Sequence, residues 1–132
     1  MKLPYQVRVS ERHFLNLPGH HAGAFVHVFI EDTSERGLEA HRYRDGGLWN
    51  PSPRLILEIA DCSHRIELEF DVSEASERQN SFHKIDTLIE SLTKFREGLV
   101  AEARLYKDRD QEICDARDER HLDSSAVKVT AL

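Results

Sequence analysis

The sequence predicts an α+β fold: an antiparallel, meander-like sheet of four to five strands, then one long amphipathic C-terminal helix and a polar tail. Three observations carry this. Apolar residues alternate with polar ones in several stretches before residue 72, the period of two that belongs to strands. Glycine, proline and aspartate clusters separate those stretches. From Ser81 to Ile113 the apolar residues recur instead in steps of three and four, which a helix stacks on one face.

The elements follow in order. Tyr5, Val7 and Val9 alternate with Gln6, Arg8 and Ser10 as a half-buried strand does, and Pro18-Gly19 is a turn signal. Between Ala22 and Glu31, Ala24, Val26, Val28 and Ile30 point one way and Phe25, His27 and Phe29 the other. Both faces are apolar, so this strand is expected to be central and covered on two sides. After Asp32–Gly37, Leu38 to Arg44 is expected to return as an antiparallel strand, at an edge or with a face open to solvent. Asp45-Gly46-Gly47 and Asn50-Pro51-Ser52-Pro53 then keep the chain irregular and extended. The clearest hairpin follows. Leu55, Leu57 and Ile59 share a face, Asp61-Cys62-Ser63-His64 turns, and Ile66, Leu68, Phe70 and Val72 return opposite Arg65, Glu67, Glu69 and Asp71.

Ser76-Glu77-Arg78-Gln79 fits a capping box, with Asn80 or Ser81 as a second N-cap. The helix is expected over 80–113, with the stripe Phe82, Ile85, Leu88, Ile89, Leu92, Phe95, Leu99, Ala103 and Tyr106 buried as core against the sheet. Glu90 precedes Lys94 by four residues, the favourable order for a surface pair. Asp123-Ser124-Ser125 reads as a stop. Residues 1–113 are thus expected as one domain, with the sheet over 4–72, and 114–132 as an acidic, polar extension.

Composition narrows the function. The chain has 132 residues and a net charge of −6. Most of that excess sits at 108–123, where seven Asp or Glu face three Arg, while residues 1–60 balance at seven of each sign. A nucleic-acid backbone finds no basic stripe, so nucleic acid is excluded as a main partner. No apolar run reaches the ~20 residues that span a bilayer, and Met1-Lys2-Leu3-Pro4 starts no secretory segment. A soluble, cytoplasmic protein without membrane contact is expected, with Cys62 and Cys114 as thiols.

Candidate chemistry is sparse. His20, His21, His27 and His41 lack the spacing of a metal site, and Cys62-Ser63-His64 lacks the elbow and oxyanion loop of a nucleophilic enzyme. No glycine-rich nucleotide loop is present. The expectation is therefore no catalytic residue, no metal and no cofactor. The one unusual stretch is His41 to Arg54, where Arg42, Arg44 and Arg54 gather around Trp49, residue types that grip anions and protein partners.

Two functions are expected from this. The first is a small non-enzymatic assembly or adaptor protein that acts through homo-oligomerisation and protein–protein contacts. Its interface would use Phe82, Ile85, Ile89, Leu92, Phe95, Leu99 and Tyr106. The alternative is a protein that binds or sequesters an anionic or nucleotide-like molecule at a subunit interface through Arg42, Arg44, Trp49 and Arg54. A structural plug is the plain reading of Trp49, since most tryptophans are largely buried.

Overall fold

The computed structural model describes residues 5–20, 23–40 and 46–130, with the backbone alone at Ala40 and 125–130. The element order is β1 (Gln6–Phe14), β2 (Phe25–Asp32), β3 (Glu39–Ala40), β4 (Leu48–Trp49), β5 (Leu55–Asp61), β6 (His64–Leu68) and α1 (Ala75–Thr130). Four strands form one antiparallel sheet in the order β1-β2-β5-β6, and β3 and β4 form a separate two-stranded ribbon. The α+β architecture and the central place of β2 are as the alternation predicts. The returning strand expected at Leu38 to Arg44 does not join the main sheet: its described part is β3, paired with β4. Residues 41–45 lie outside the described residues.

Turn chemistry sets the joints. His20 N–H donates to Leu17 O at 3.1 Å, closing a turn with Pro18 in second place and Gly19 at a φ of 91°, which glycine adopts without strain. Thr33 O accepts from Arg36 N–H at 3.0 Å, and Gly37 follows at a φ of 59°. At the β5–β6 hairpin Asp61 pairs with His64, leaving a two-residue loop in which Cys62 takes a φ of 54°. Cys62 N–H donates to Gly23 O at 3.1 Å, and a Cβ on Gly23 would lie 3.0 Å from Cys62 Cα. Glycine is what lets these two backbones approach.

Register decides the faces. Val26, Val28 and Ile30 stand beside Ile59, Leu57 and Leu55, and Leu57 and Ile59 beside Leu68 and Ile66, so one face is continuously apolar. The other carries Phe25, His27 and Phe29 on β2. Arginines from β1, from β6 and from the residue that precedes β5 lie over it. The Arg12 guanidinium sits 4.4 Å from the Phe25 ring centroid, Arg65 sits 5.8 Å from it, and Arg54 lies 5.4 Å from Phe29. Arg65 is held from below by Glu58, with Nε 2.9 Å from Oε1. The second apolar face of β2 is thus covered from within the sheet by guanidiniums stacked on rings.

The pairing of β1 with β2 slips between Val7 and Val9, a bulge at Arg8, whose guanidinium reaches Asp32 Oδ1 at 3.0 Å. Ser34 N–H also donates to that oxygen, at 2.8 Å. The Ser34 hydrogen bonds, with a smaller contribution from Arg8, hold the Asp32 carboxyl below the ordinary aspartate range.

The helix is longer than its apolar stripe. Expected over 80–113, it starts at Ala75 and runs unbroken to Thr130, 56 residues. The first helical bond is Arg78 N–H to Glu74 O, so Glu74 is the N-cap and Ser76 lies inside the first turn; the expected capping box does not form. Asp71 Oδ1 accepts from Ser73 N–H at 2.7 Å just before the helix. At the far end, residues 101–121 are mostly strong helix formers, and serine at 124 and 125 weakens a helix by only a few tenths of a kcal/mol, roughly 0.5. That cost does not stop a helix supported by such pairs as Gln111–Asp115 at 2.9 Å. The Glu90–Lys94 pair forms, at 3.1 Å.

The chain divides into two units, 1–84 and 85–132. Within the first, the buried apolar residues are Ala24 and Ala60, at 5% and 3% exposure, and among the described residues no large side chain is fully buried. The second unit is helix throughout its described length. Leu92 and Leu99, on the stripe expected as core, are 55% and 57% exposed. A helical period shows that a face needs cover without showing whose atoms supply it.

Candidate functional site

Three places in the described structure could carry function: the helix stripe, the clefts beside the start of the helix, and the segment around Trp49. The stripe is the most extensive. Phe82, Ile89, Leu92, Phe95, Leu99 and Tyr106 are each more than half exposed, and Ile85 is half-buried. All seven residues expected at an oligomer interface therefore lie on one helix, at steps that bring them to one side. Thr93, flanking the stripe, returns its hydroxyl to Ile89 O at 2.9 Å, and on the far side Lys94 is spent on Glu90. The polar face satisfies itself locally, whereas the large apolar side chains of the stripe are mostly exposed among the described residues.

Of the proposed anion-gripping residues, Arg42 and Arg44 lie outside the described residues. Trp49 is in β4, paired with Glu39 and 37% exposed, so it is neither a sealed plug nor a free stacking plate. Arg54 is engaged at the end of the sheet. Its N–H donates to Glu31 Oε1 at 2.9 Å, its carbonyl accepts from Glu31 N–H at 3.0 Å, and its guanidinium lies over Phe29. Arg36 holds the base of the ribbon, 3.2 Å from Glu39 Oε1 and 4.5 Å from the Tyr5 centroid.

The clefts lie next to Phe70 and Asp71. One, of about 310 Å³, is walled by Pro51, Pro53, Leu55 and Phe70, with Arg78 at its rim; the other, of about 480 Å³, is lined by Glu67, Glu69, Asp71 and Glu77 with Lys84. Neither Trp49 nor Arg54 lines them. Their two cations are turned to structural use: Arg78 donates to Val72 O at 2.9 Å and Lys84 Nζ to Glu69 O at 2.6 Å, with Lys84 also 5.4 Å from the Phe70 ring. The carboxylates around the second cleft disfavour an anion. Ser73 N–H, on Asp71 Oδ1, holds that carboxyl below the ordinary range.

Ser81 was legible only as a possible cap. Its position on the apolar side of the helix, where a polar residue needs a partner, is the signal that could have pointed to its bond with Asp71.

Among the described residues no group of three or more His, Cys, Asp or Glu is placed to hold a metal ion, and no helix is long and apolar enough to cross a membrane. Cys62 and Cys114 are exposed free thiols. No protein-family model, curated protein or solved structure matches the chain. The functional reading therefore rests on the chain's own surface.

Proposed function

We propose that this chain is a non-enzymatic assembly or adaptor protein that acts through homo-oligomerisation, with the helix stripe from Phe82 to Tyr106 as its principal contact. The observation that carries this reading is the exposure of that stripe. Helices in proteins draw most of their stability from packing an apolar face, and a 56-residue helix with its large side chains in water lacks that support. Exposed apolar surface of this extent marks an interaction site. The first unit points the same way, since its sheet encloses no fully buried large side chain among the described residues. Two exposed thiols suit a reducing, cytoplasmic setting for such an assembly.

Sedimentation equilibrium of the full chain tests the reading. A stable oligomer at micromolar concentration is expected, and Leu92→Glu, which sets a charge in the middle of the stripe, should convert it to monomer and lower its helix content, because the packing that supports the helix is lost. A wild-type chain that sediments only as monomer overturns the proposal.

A further inference from the structure

The helix carries enough pattern to specify how two copies meet, an inference that rests on the oligomer reading above. Along α1 the residues 75, 78, 82, 85, 89, 92, 96, 99, 103, 106, 110 and 113 follow the alternating steps of a heptad seam. Most are apolar. Three are charged: Arg78, Arg96 and Asp110.

These three decide between orientations. In a parallel, in-register pair every seam residue meets its own copy, so Arg78 faces Arg78, Arg96 faces Arg96 and Asp110 faces Asp110. All three meetings set like charges together at the least solvated positions. In an antiparallel pair centred on Lys94 the seam runs in the opposite sense. Phe82 then lies opposite the partner's Tyr106, Ile85 opposite the partner's Ala103, and Ile89 opposite the partner's Leu99. Aromatic meets aromatic, isoleucine meets alanine and isoleucine meets leucine, so each of these seam layers is filled from both sides. Arg78 then meets the partner's Asp110, twice by symmetry. Arg96 lies opposite the partner's Leu92, where its aliphatic stem can cover the leucine while the guanidinium reaches water.

The helix's overall charge agrees. Residues 75–107 hold six Lys or Arg against five Asp or Glu, and 108–123 hold three against seven. Parallel pairing lays one acidic end along the other; antiparallel pairing separates them by most of the helix length. Arg78 donates one of its N–H groups to Val72 O, which leaves others of its fork for a carboxylate.

We propose that two copies of this chain associate as an antiparallel, two-fold helix pair centred on Lys94, with Arg78 of each copy matched to Asp110 of the other.

The test uses the full chain with Cys62→Ser and Cys114→Ser, spin-labelled through Asp108→Cys on the outer side of the helix. Antiparallel pairing places the two labels roughly 42 Å apart along the axis, since 28 residues at ~1.5 Å each separate position 108 from the residue opposite it. Parallel pairing brings them within roughly 25 Å, the width of two helices with their side chains. A dimer with the long distance supports the proposal, and a dimer with the short one overturns it while leaving the oligomer reading intact. A monomer overturns both. In the unlabelled chain, Asp110→Arg should weaken the dimer on the order of tenfold, because two attractive pairs become repulsive, and adding Arg78→Asp should restore it. In a parallel dimer the second substitution would rescue nothing. Absence of rescue in a chain that still forms its helix therefore overturns the matched pair.

Discussion

Ser81 holds Asp71 by both ends of its peptide: the hydroxyl accepts from Asp71 N–H at 2.9 Å and donates to Asp71 O at 2.8 Å. At 9% exposure Ser81 is the buried polar residue among those described. The first turns of the helix are thereby tied to the segment that leaves β6. Ser81→Ala removes both bonds and leaves two backbone groups in a poorly solvated place, so a loss of about 1 to 3 kcal/mol is expected in chemical denaturation. Asn80→Ala next to it, exposed and outside this clasp, should change stability by less than about 0.5 kcal/mol.

Leu92→Ala and Leu99→Ala separate a chain's own core from a contact between chains. Diluted to monomer, both variants should unfold within about 0.5 kcal/mol of the parent, as surface substitutions do. At concentrations where copies associate, the parent should gain thermal stability with concentration and the variants should gain less. Melting curves over a wide concentration range measure this. A loss of about 2 to 5 kcal/mol that does not vary with concentration would mark the leucines as ordinary core.

The β5–β6 turn yields an opposed pair of effects. A methyl group on Gly23 meets the Cys62 backbone at 3.0 and 3.2 Å, so Gly23→Ala must displace main chain and should cost about 1 to 3 kcal/mol. Cys62→Gly relieves a left-handed side chain worth ~1 to 2 kcal/mol and loses ~0.5 to 1 kcal/mol to glycine's freedom when unfolded. Equal or slightly higher stability is expected, measured by urea unfolding.

Asp32 and Asp71 set an acid limit on their turns. Hydrogen bonds from Ser34 and Ser73 lower the two carboxyls in the folded chain, so the folded state binds these protons less readily than the unfolded one. The resulting stabilisation is fully present above the ordinary aspartate value and is lost as pH falls through the lowered folded value. Carboxyl NMR titration should find both midpoints below the ordinary range. Ser73→Pro, which deletes the donor to Asp71, should raise the Asp71 midpoint and leave Asp32 unchanged.

The strands were readable where side-chain alternation and turn residues coincide, as in Leu55–Leu68, because one buried face fixes register. The arginine cover over Phe25 and Phe29 was not readable. Arg12, Arg54 and Arg65 are far from those rings in sequence, and pairing alone brings them there. The helix end was misplaced because charged residues beyond Tyr106 carry no apolar signal although they sustain a helix well. For the candidate site, the stripe was legible residue by residue, but its exposure was not: periodicity describes one surface and is silent about the one that meets it.

The bulge at Arg8 has a consequence for aggregation. β1 and β6 bound the sheet, and an unpaired strand edge is a template on which further chains can add as ribbons. In β1 the slip between Val7 and Val9 bends the outer rim and breaks the even spacing of its amides, and Arg8, Glu11 and Arg12 add charge along it. β6 is five residues long and carries Arg65 and Glu67. Fibrillar stacking through either rim is thereby discouraged, which leaves side-chain packing as the route by which such a chain can self-associate and still remain dispersed.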